Sequence, residues 1–505
     1  MLKGQPKGLA VLFFSNMGER FGFYTMLAVF TYYLMENFGW DEATATNVYG
    51  IFMLILYSLP LLGGVLAEKV LGYGKTVTVG IVIMMAGYVL LAIPTKAEPM
   101  LWLSLSVIAL GTGMFKGNLV VLVGNLYDKE GRGHLRDAAF NIFYMGINIG
   151  AFFAPFAASG IKGYFVDTLG MTLAQGYNAA FAVSAAGQLV SLFVFTLFRE
   201  YYAEADLRSS DKKAAAAAQV VQQEITPRQE RERVVALLIV FGIVVFFWMA
   251  FQQNGAALSL FAKYYTQLKG GPATGMLFDL VALLPLVALI GGTVLALKKG
   301  MTGTQRAIAA LLAVAGAVVA YLKYIGMPEV STYDPELFQS FNPLFIVFLT
   351  PVVLGVFGWL AVRKKEPSSP GKIGIGMLIT AGAFGLMLIA SLGLPGAETL
   401  GGQPSTTQVS PYWLISTYLS LTVAELFLSP MGLSFVSKVA PPRLKGVMQG
   451  GWLFATAIGN YLAGRIGTFY QSWELWQFFA LLVGAMLLSA LAIAVFLRKL
   501  KAATA

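Results

Sequence analysis

The sequence predicts an all-α polytopic membrane protein, and three observations carry that prediction. Of 505 residues, 57% are hydrophobic and only 12% charged, with a mean hydropathy of +0.71, far from the balance of a soluble domain. The apolar runs are roughly 20 to 30 residues long, the length of a membrane-spanning helix and not the alternating segments of about 10 that build an outer-membrane barrel. Glycine (55 residues) and proline (20) are spread along the chain, as in helices that pack closely and bend.

In chain order, the first half offers apolar runs at Leu9–Met35, Ala45–Leu66, Val77–Ile93, Met100–Leu126, Ala138–Ala158 and Tyr177–Phe198. The first run lacks a short apolar core followed by a small-residue cleavage site, so it reads as a retained helix. A polar segment rich in charge, 199–233, follows and is the natural domain boundary. Its Ala214–Ala218 stretch favours helix. Runs then resume at Val234–Lys263, Met276–Leu297, Arg306–Leu322, Leu337–Val362, Ile373–Leu394, Tyr412–Val436, Gly446–Ile466 and Trp476–Leu497, for a total of about fourteen spans. The second and third of these, at about 272–325, are almost devoid of polar side chains apart from Asp279 and read as an extra hairpin. Setting it aside leaves six runs in a first half, 1–198, and six in a second, 234–505. Six plus six suggests a two-domain transporter with its site between the domains near the midplane.

With both termini cytoplasmic, most of the 35 Lys and Arg residues fall in loops on the inner side, as the positive-inside rule requires. The net charge of +10 is therefore topological and calls for no nucleic acid partner. A multi-pass protein of the inner or plasma membrane is expected. There is no cysteine and a single histidine, His134, in a charged loop. Neither a metal site nor a cofactor is expected, and no Ser/His pair or phosphate loop suggests an enzyme.

Polar groups inside apolar runs are the functional candidates. Glu19 and Arg20 lie in the first run, with Asn16, Arg20 and Tyr24 on one helical stripe and Glu19 about 100° around the axis. Lys116 sits in Gly111-Thr112-Gly113-Met114-Phe115-Lys116-Gly117-Asn118, and Asn141, Tyr144 and Asn148 share a face of the fifth run. In the second half, Trp248, Gln252 and Ser259 share a face, as do Gln449, Trp452, Thr456 and Asn460, and Glu425 is the clearest carboxylate. Two buried cations require an anionic partner, which is either a protein carboxylate such as Glu19 or that of a substrate. The amides are also consistent with interhelical packing, and Glu425 with a structural, protonated glutamate. Cations opposed by Glu425 across a cavity would suit a zwitterion.

These stretches resemble the proton-dependent oligopeptide transporter family of the major facilitator superfamily. The resemblance rests on Glu19-Arg20-Phe21 with Tyr24, Gly63 to Lys69 before Gly72, Gly111-Thr112-Gly113 with Lys116, Phe143-Tyr144 with Asn148, Phe247-Trp248, Asn342-Pro343, Glu425 through Ser434, and Gly459-Asn460. It implies two six-helix bundles and import of di- and tripeptides with protons by a monomer. Arg20 and Lys116 would take the peptide carboxylate and Glu425 its amino terminus. Tyr24, Tyr57, Asn148, Trp248 and Trp452 would line side-chain pockets or bond the peptide backbone, with Glu19 and Glu425 the proton carriers. The chain departs from the family in having Asn16 where a glutamate is usual, neutral Gln252-Gln253-Asn254 where an acid is common, and its extra helix pair after the seventh helix. The fold also admits other cargo, such as a peptide-like compound, nitrate or another small zwitterion, moved by symport or facilitation. A non-transporting peptide sensor is the reading from another class.

Overall fold

The computed structural model describes residues 4–127, 135–206, 226–298, 300–441 and 444–502. His134 and the Ala214–Ala218 stretch lie outside them. The first half consists of α1 (Lys7–Phe38), α2 (Glu42–Ser58) continued by α3 (Pro60–Leu66), α4 (Tyr73–Ala92), α5 (Glu98–Asn125), α6 (Arg136–Gly163) and α7 (Leu173–Leu197). The second comprises α8 (Pro227–Phe251), α9 (Ala257–Tyr265), α10 (Pro272–Phe278), α11 (Leu280–Leu297), α12 (Gly303–Gly326), α13 (Phe341–Val362), α14 (Ser369–Ala390), α15 (Pro411–Val439), α16 (Lys445–Arg465), α17 (Gly467–Ser472) and α18 (Leu475–Ala502).

Helix starts follow their local chemistry. Asp41 caps α2 by accepting the Thr44 N–H at 2.8 Å, and hydrogen bonding from Thr44 holds its carboxyl below the usual carboxylate range. Thr172, Thr226 and Thr302 each form a reciprocal capping box with the glutamine three residues on, satisfying amides that a helix start leaves open.

Among the described residues, twelve helical segments are long and apolar enough to cross a membrane. Helices α1 and α16 are not among the twelve, although they run for 32 and 21 residues. They carry polar side chains that the other helices shield, so span length and mean hydropathy part company there. The run expected to continue from Val234 to Lys263 is broken at Gln252–Gly255, a 3-10 turn.

Buried apolar side chains form two large clusters, one drawn from residues 9–205 and one from residues 236–500. Within and between them, glycine lets backbones touch: a Cβ at Gly111 would lie 2.6 Å from the Gly80 carbonyl oxygen, and one at Gly464 would lie 2.4 Å from that of Thr46. The pair α11 and α12 packs on itself around Gly292 and Gly316, and its remaining faces expose Ile290, Val294, Leu311, Val318 and Leu322. A two-stranded antiparallel ribbon, β1 (Lys269–Gly270) with β2 (Ser331–Thr332), closes the base of this insertion.

The polar contacts described between the halves all gather at the end away from the termini. Thr31 donates to the Gly255 carbonyl and Tyr32 to that of Ser259, each at 2.8 Å. Gln252 donates to the Tyr49 hydroxyl at 2.7 Å. Lys162 of α6 bridges Asp334, at 2.9 Å, and Glu336. Removing Lys162 would leave buried Glu336 without its cation, a bias on the order of 3 kcal/mol against the closed end. Ser259, only 2% exposed, can report on this in a chain without cysteine. In a Ser259→Cys background, labelling by an impermeant maleimide is expected to be slow. Adding Lys162→Ala should speed it several-fold, and equal rates would show that the bridge does not hold the closure.

Candidate functional site

Helix α1 threads the first half with its small residues against α6 and α7, and this burial fixes its charged pair. Glu19 and Arg20 are adjacent, 100° apart around the axis, yet their side chains fold onto each other: Arg20 donates through both Nε and Nη2 to the Glu19 carboxylate. Both are buried, at 0% and 4% exposure. Gln188 of α7 donates to the Glu19 backbone carbonyl at 3.1 Å, and the Arg20 guanidinium lies 4.8 Å from the Phe23 ring centre. Asn16 is buried, and its amide donates to the Phe143 carbonyl of α6 at a long 3.5 Å, so it joins helices.

Lys116 on α5 has a different environment. Its ammonium stands 3.9 Å above the Tyr57 ring, a cation–π contact, and it has no ion pair among the described residues. Tyr24 and Tyr57 are half-buried, and both lie within electrostatic reach of Arg20. The first half thus presents one neutralised cation and one open cation around two phenol rings.

Across from them, Glu425 of α15 accepts a hydrogen bond from the Asn342 amide at 3.0 Å, and the same amide donates to Thr422 at 3.0 Å. Tyr24 is within electrostatic reach of Glu425 as well as of Arg20, so its phenol senses charges of both halves. Asn342 belongs to a stretch used above only for its resemblance. The signal for its role is an amide next to a proline, Asn342-Pro343, in an otherwise apolar run.

The remaining candidates divide. Asn148 is half-buried and donates to its own helix, at the Tyr144 carbonyl, 3.0 Å away. Trp248 packs on Phe247 and Phe251, and its buried indole N–H has no partner among the described residues. Trp452 is 3% exposed, lies against Gly432 and meets Phe241 edge-on, as a core side chain does. Two cavities of about 400 Å³ lie away from all of these groups. One is between α4 and α7, and the other borders Phe21, Phe153, Phe278 and Leu337. Among the described residues no cluster of three His, Asp or Glu side chains could hold a metal.

The family model described as the POT family matches residues 74–222 and 328–477. The residues between the matched segments include α11 and α12. An uncharacterized transporter, YclF, of Bacillus subtilis (strain 168) is 29% identical over 491 residues, spanning 93% of this chain and 89% of that protein. Dipeptide and tripeptide permease A of Escherichia coli (strain K12) is 26% identical over 481 residues, spanning 92% and 85%. Of solved structures, a glutamate-to-glutamine variant of a peptide transporter POT in complex with alafosfalin is 27% identical, with a TM-score of 0.73 and coverage of 100% of this chain and 96% of that one. A POT family transporter in complex with 5-aminolevulinic acid shares the fold, with a TM-score of 0.74 at 23% identity and coverage of 99% and 98%.

Proposed function

The chain belongs to the POT family of the major facilitator superfamily and is a transport protein, not an enzyme; on that premise we propose that it imports di- and tripeptides by alternating access, together with protons. Relatives named as dipeptide and tripeptide permeases support the cargo. The observation that carries the reading is a pair of complementary groups in the two halves: Lys116, over Tyr57 and without an ion pair among the described residues, in the first, and Glu425 in the second, with Tyr24 in electrostatic reach of both Arg20 and Glu425. A peptide offers a carboxylate to Lys116 and Arg20 and an ammonium to Glu425. Tyr57, Asn148 and Trp248 complete the proposed peptide-binding walls, with Trp452 behind them in the core of the second half.

The moving bodies in this reading are residues 1–198 and 234–505, joined by the linker 199–233, and the separate apolar cores of the two halves support the division. Contacts gathered at the end away from the termini are those of a carrier closed on one side. We take the terminal end as cytoplasmic, in the inner membrane, and the unit as a single copy, because both halves of the site lie in one chain. A ligand shifts such an equilibrium only by unequal affinity for its two states, and a peptide spanning Lys116 and Glu425 prefers the state that brings them together.

Proton coupling follows from the Glu19–Arg20 pair. When a substrate carboxylate engages Arg20, Glu19 loses its partner inside a dry helix contact, where a lone charge is strongly disfavoured, and it takes up a proton. Glu425 is the second carrier, exchanging its proton for the substrate's ammonium. In liposomes, an inward proton gradient should drive accumulation of a labelled dipeptide. One observation favours a facilitator instead: Gln252 cannot titrate and is committed to Tyr49. Uptake that equilibrates without responding to pH or voltage would establish that reading, and no uptake of any dipeptide would remove both.

A further inference from the structure

The cavity of about 400 Å³ between α4 and α7 is built unlike the peptide site. Lys75, Thr78 and Val79 of α4, Thr196 of α7, and Arg199 and Tyr202 just beyond it are among its lining residues. Its depth is set by the helices. The apolar span of α4 begins at Tyr73 and that of α7 ends at Leu197, so Lys75 and Arg199 stand where the hydrocarbon gives way to headgroups. Both lie at the end that carries the termini.

The charges of the cleft do not cancel. Lys75 is exposed and has no ion pair among the described residues. Arg199 reaches Asp206 only at 3.5 Å and keeps 60% of its side chain exposed. Asp206 is itself 12% exposed, and its carboxylate is held in the wall by the Gly74 N–H at 2.7 Å. The charged side chains of the lining, Lys75 and Arg199, are both cations, and Asp206 in the wall pairs with Arg199 alone among the described residues, so the lining retains a positive charge.

Below the cations the surface is dry. Val79 and Val82 on α4, and Leu189, Phe193 and Leu197 on α7, are 39%, 42%, 56%, 59% and 59% exposed. They make an apolar track running from the cleft toward the bilayer centre. A soluble phosphate compound would use the cations and leave the track idle, whereas a lipid uses both. We propose that this cleft is a site for an anionic phospholipid, its phosphate held between Lys75 and Arg199 and its acyl chains laid along the α4–α7 wall. Basic pockets between spanning helices on the cytoplasmic side are suited to such headgroups.

The test is native mass spectrometry of the full chain in detergent, titrated with phosphatidylglycerol, phosphatidylcholine or inorganic phosphate. The wild type is expected to retain phosphatidylglycerol under conditions that strip phosphatidylcholine. The folded double variant Lys75→Ala/Arg199→Ala should hold it roughly 30-fold more weakly, from about one near-surface increment per lost cation. Lys75→Arg/Arg199→Lys should retain it, and Lys269→Ala, at an exposed cation elsewhere, should match the wild type. If the double variant does not fold, the single surface change Lys75→Glu is read in its place and should weaken retention. Equal retention in the wild type and the charge-removing variant would overturn the proposal, as would indifference between the two lipids. Displacement of phosphatidylglycerol by millimolar inorganic phosphate would also overturn it, assigning the cations to a soluble ligand.

Discussion

Replacing Glu425 by Gln is expected to weaken import of dipeptides with a free amino group sharply while leaving the protein folded. Glutamine has the same shape, and its carbonyl oxygen can still accept from Asn342, which holds Glu425 at 3.0 Å. What disappears is the negative charge facing a substrate ammonium. A hydrogen bond to a charged group contributes about 1.5–3 kcal/mol, so the loss in apparent affinity should be roughly ten- to hundredfold. The measurement is uptake of labelled dialanine into liposomes, with the N-acetylated dipeptide as comparator. The acetylated compound has no ammonium and should lose little further. Normal dialanine uptake by the variant would take Glu425 out of the site.

Arg20→Ala is expected to give the largest loss of stability among changes to the site. It leaves Glu19, with no exposure at all, in a tight helix contact without its cation, and breaking a buried pair in this way costs about 3–5 kcal/mol. The double variant Glu19→Gln/Arg20→Ala removes the orphaned charge too and should recover most of the lost melting temperature while remaining inactive in transport. That split separates the two duties of the pair, since folding needs only mutual neutralisation, whereas transport needs a guanidinium that can change partners. A double variant as unstable as Arg20→Ala would show that the pair is not what the helix contact depends on.

Much of the architecture was legible because the bilayer leaves few options. Run length exposed most of the spans, and the poverty of polar residues between 276 and 322 marked the extra pair. Partnerships were less legible. Sequence spacing puts Glu19 and Arg20 a quarter-turn apart, but two long side chains close that angle, and no periodicity argument encodes their flexibility. Lys162 with Asp334 and Glu336 is a pairing across more than 170 residues, invisible until the halves are folded. Trp452 stands on a polar stripe in sequence, yet a glycine opposite it opens a slot in the core that the indole fills. The break at Gln252–Gly255 carried a signal in its run of three amides and a glycine, which a hydropathy reading smooths over.

The ribbon of Lys269–Gly270 with Ser331–Thr332 has a bearing on how this chain acquired its extra helices. Paired strands lie about 4.7–4.9 Å apart, and a two-residue turn is enough to link antiparallel partners. The point where the chain leaves the bundle is therefore also the point where it returns. The pair α11–α12 hangs from this doorway, while α10 packs back onto the core through Phe278, so the pair can be exchanged or excised there without re-routing the carrier. The same doorway is where an engineer would graft a reporter domain.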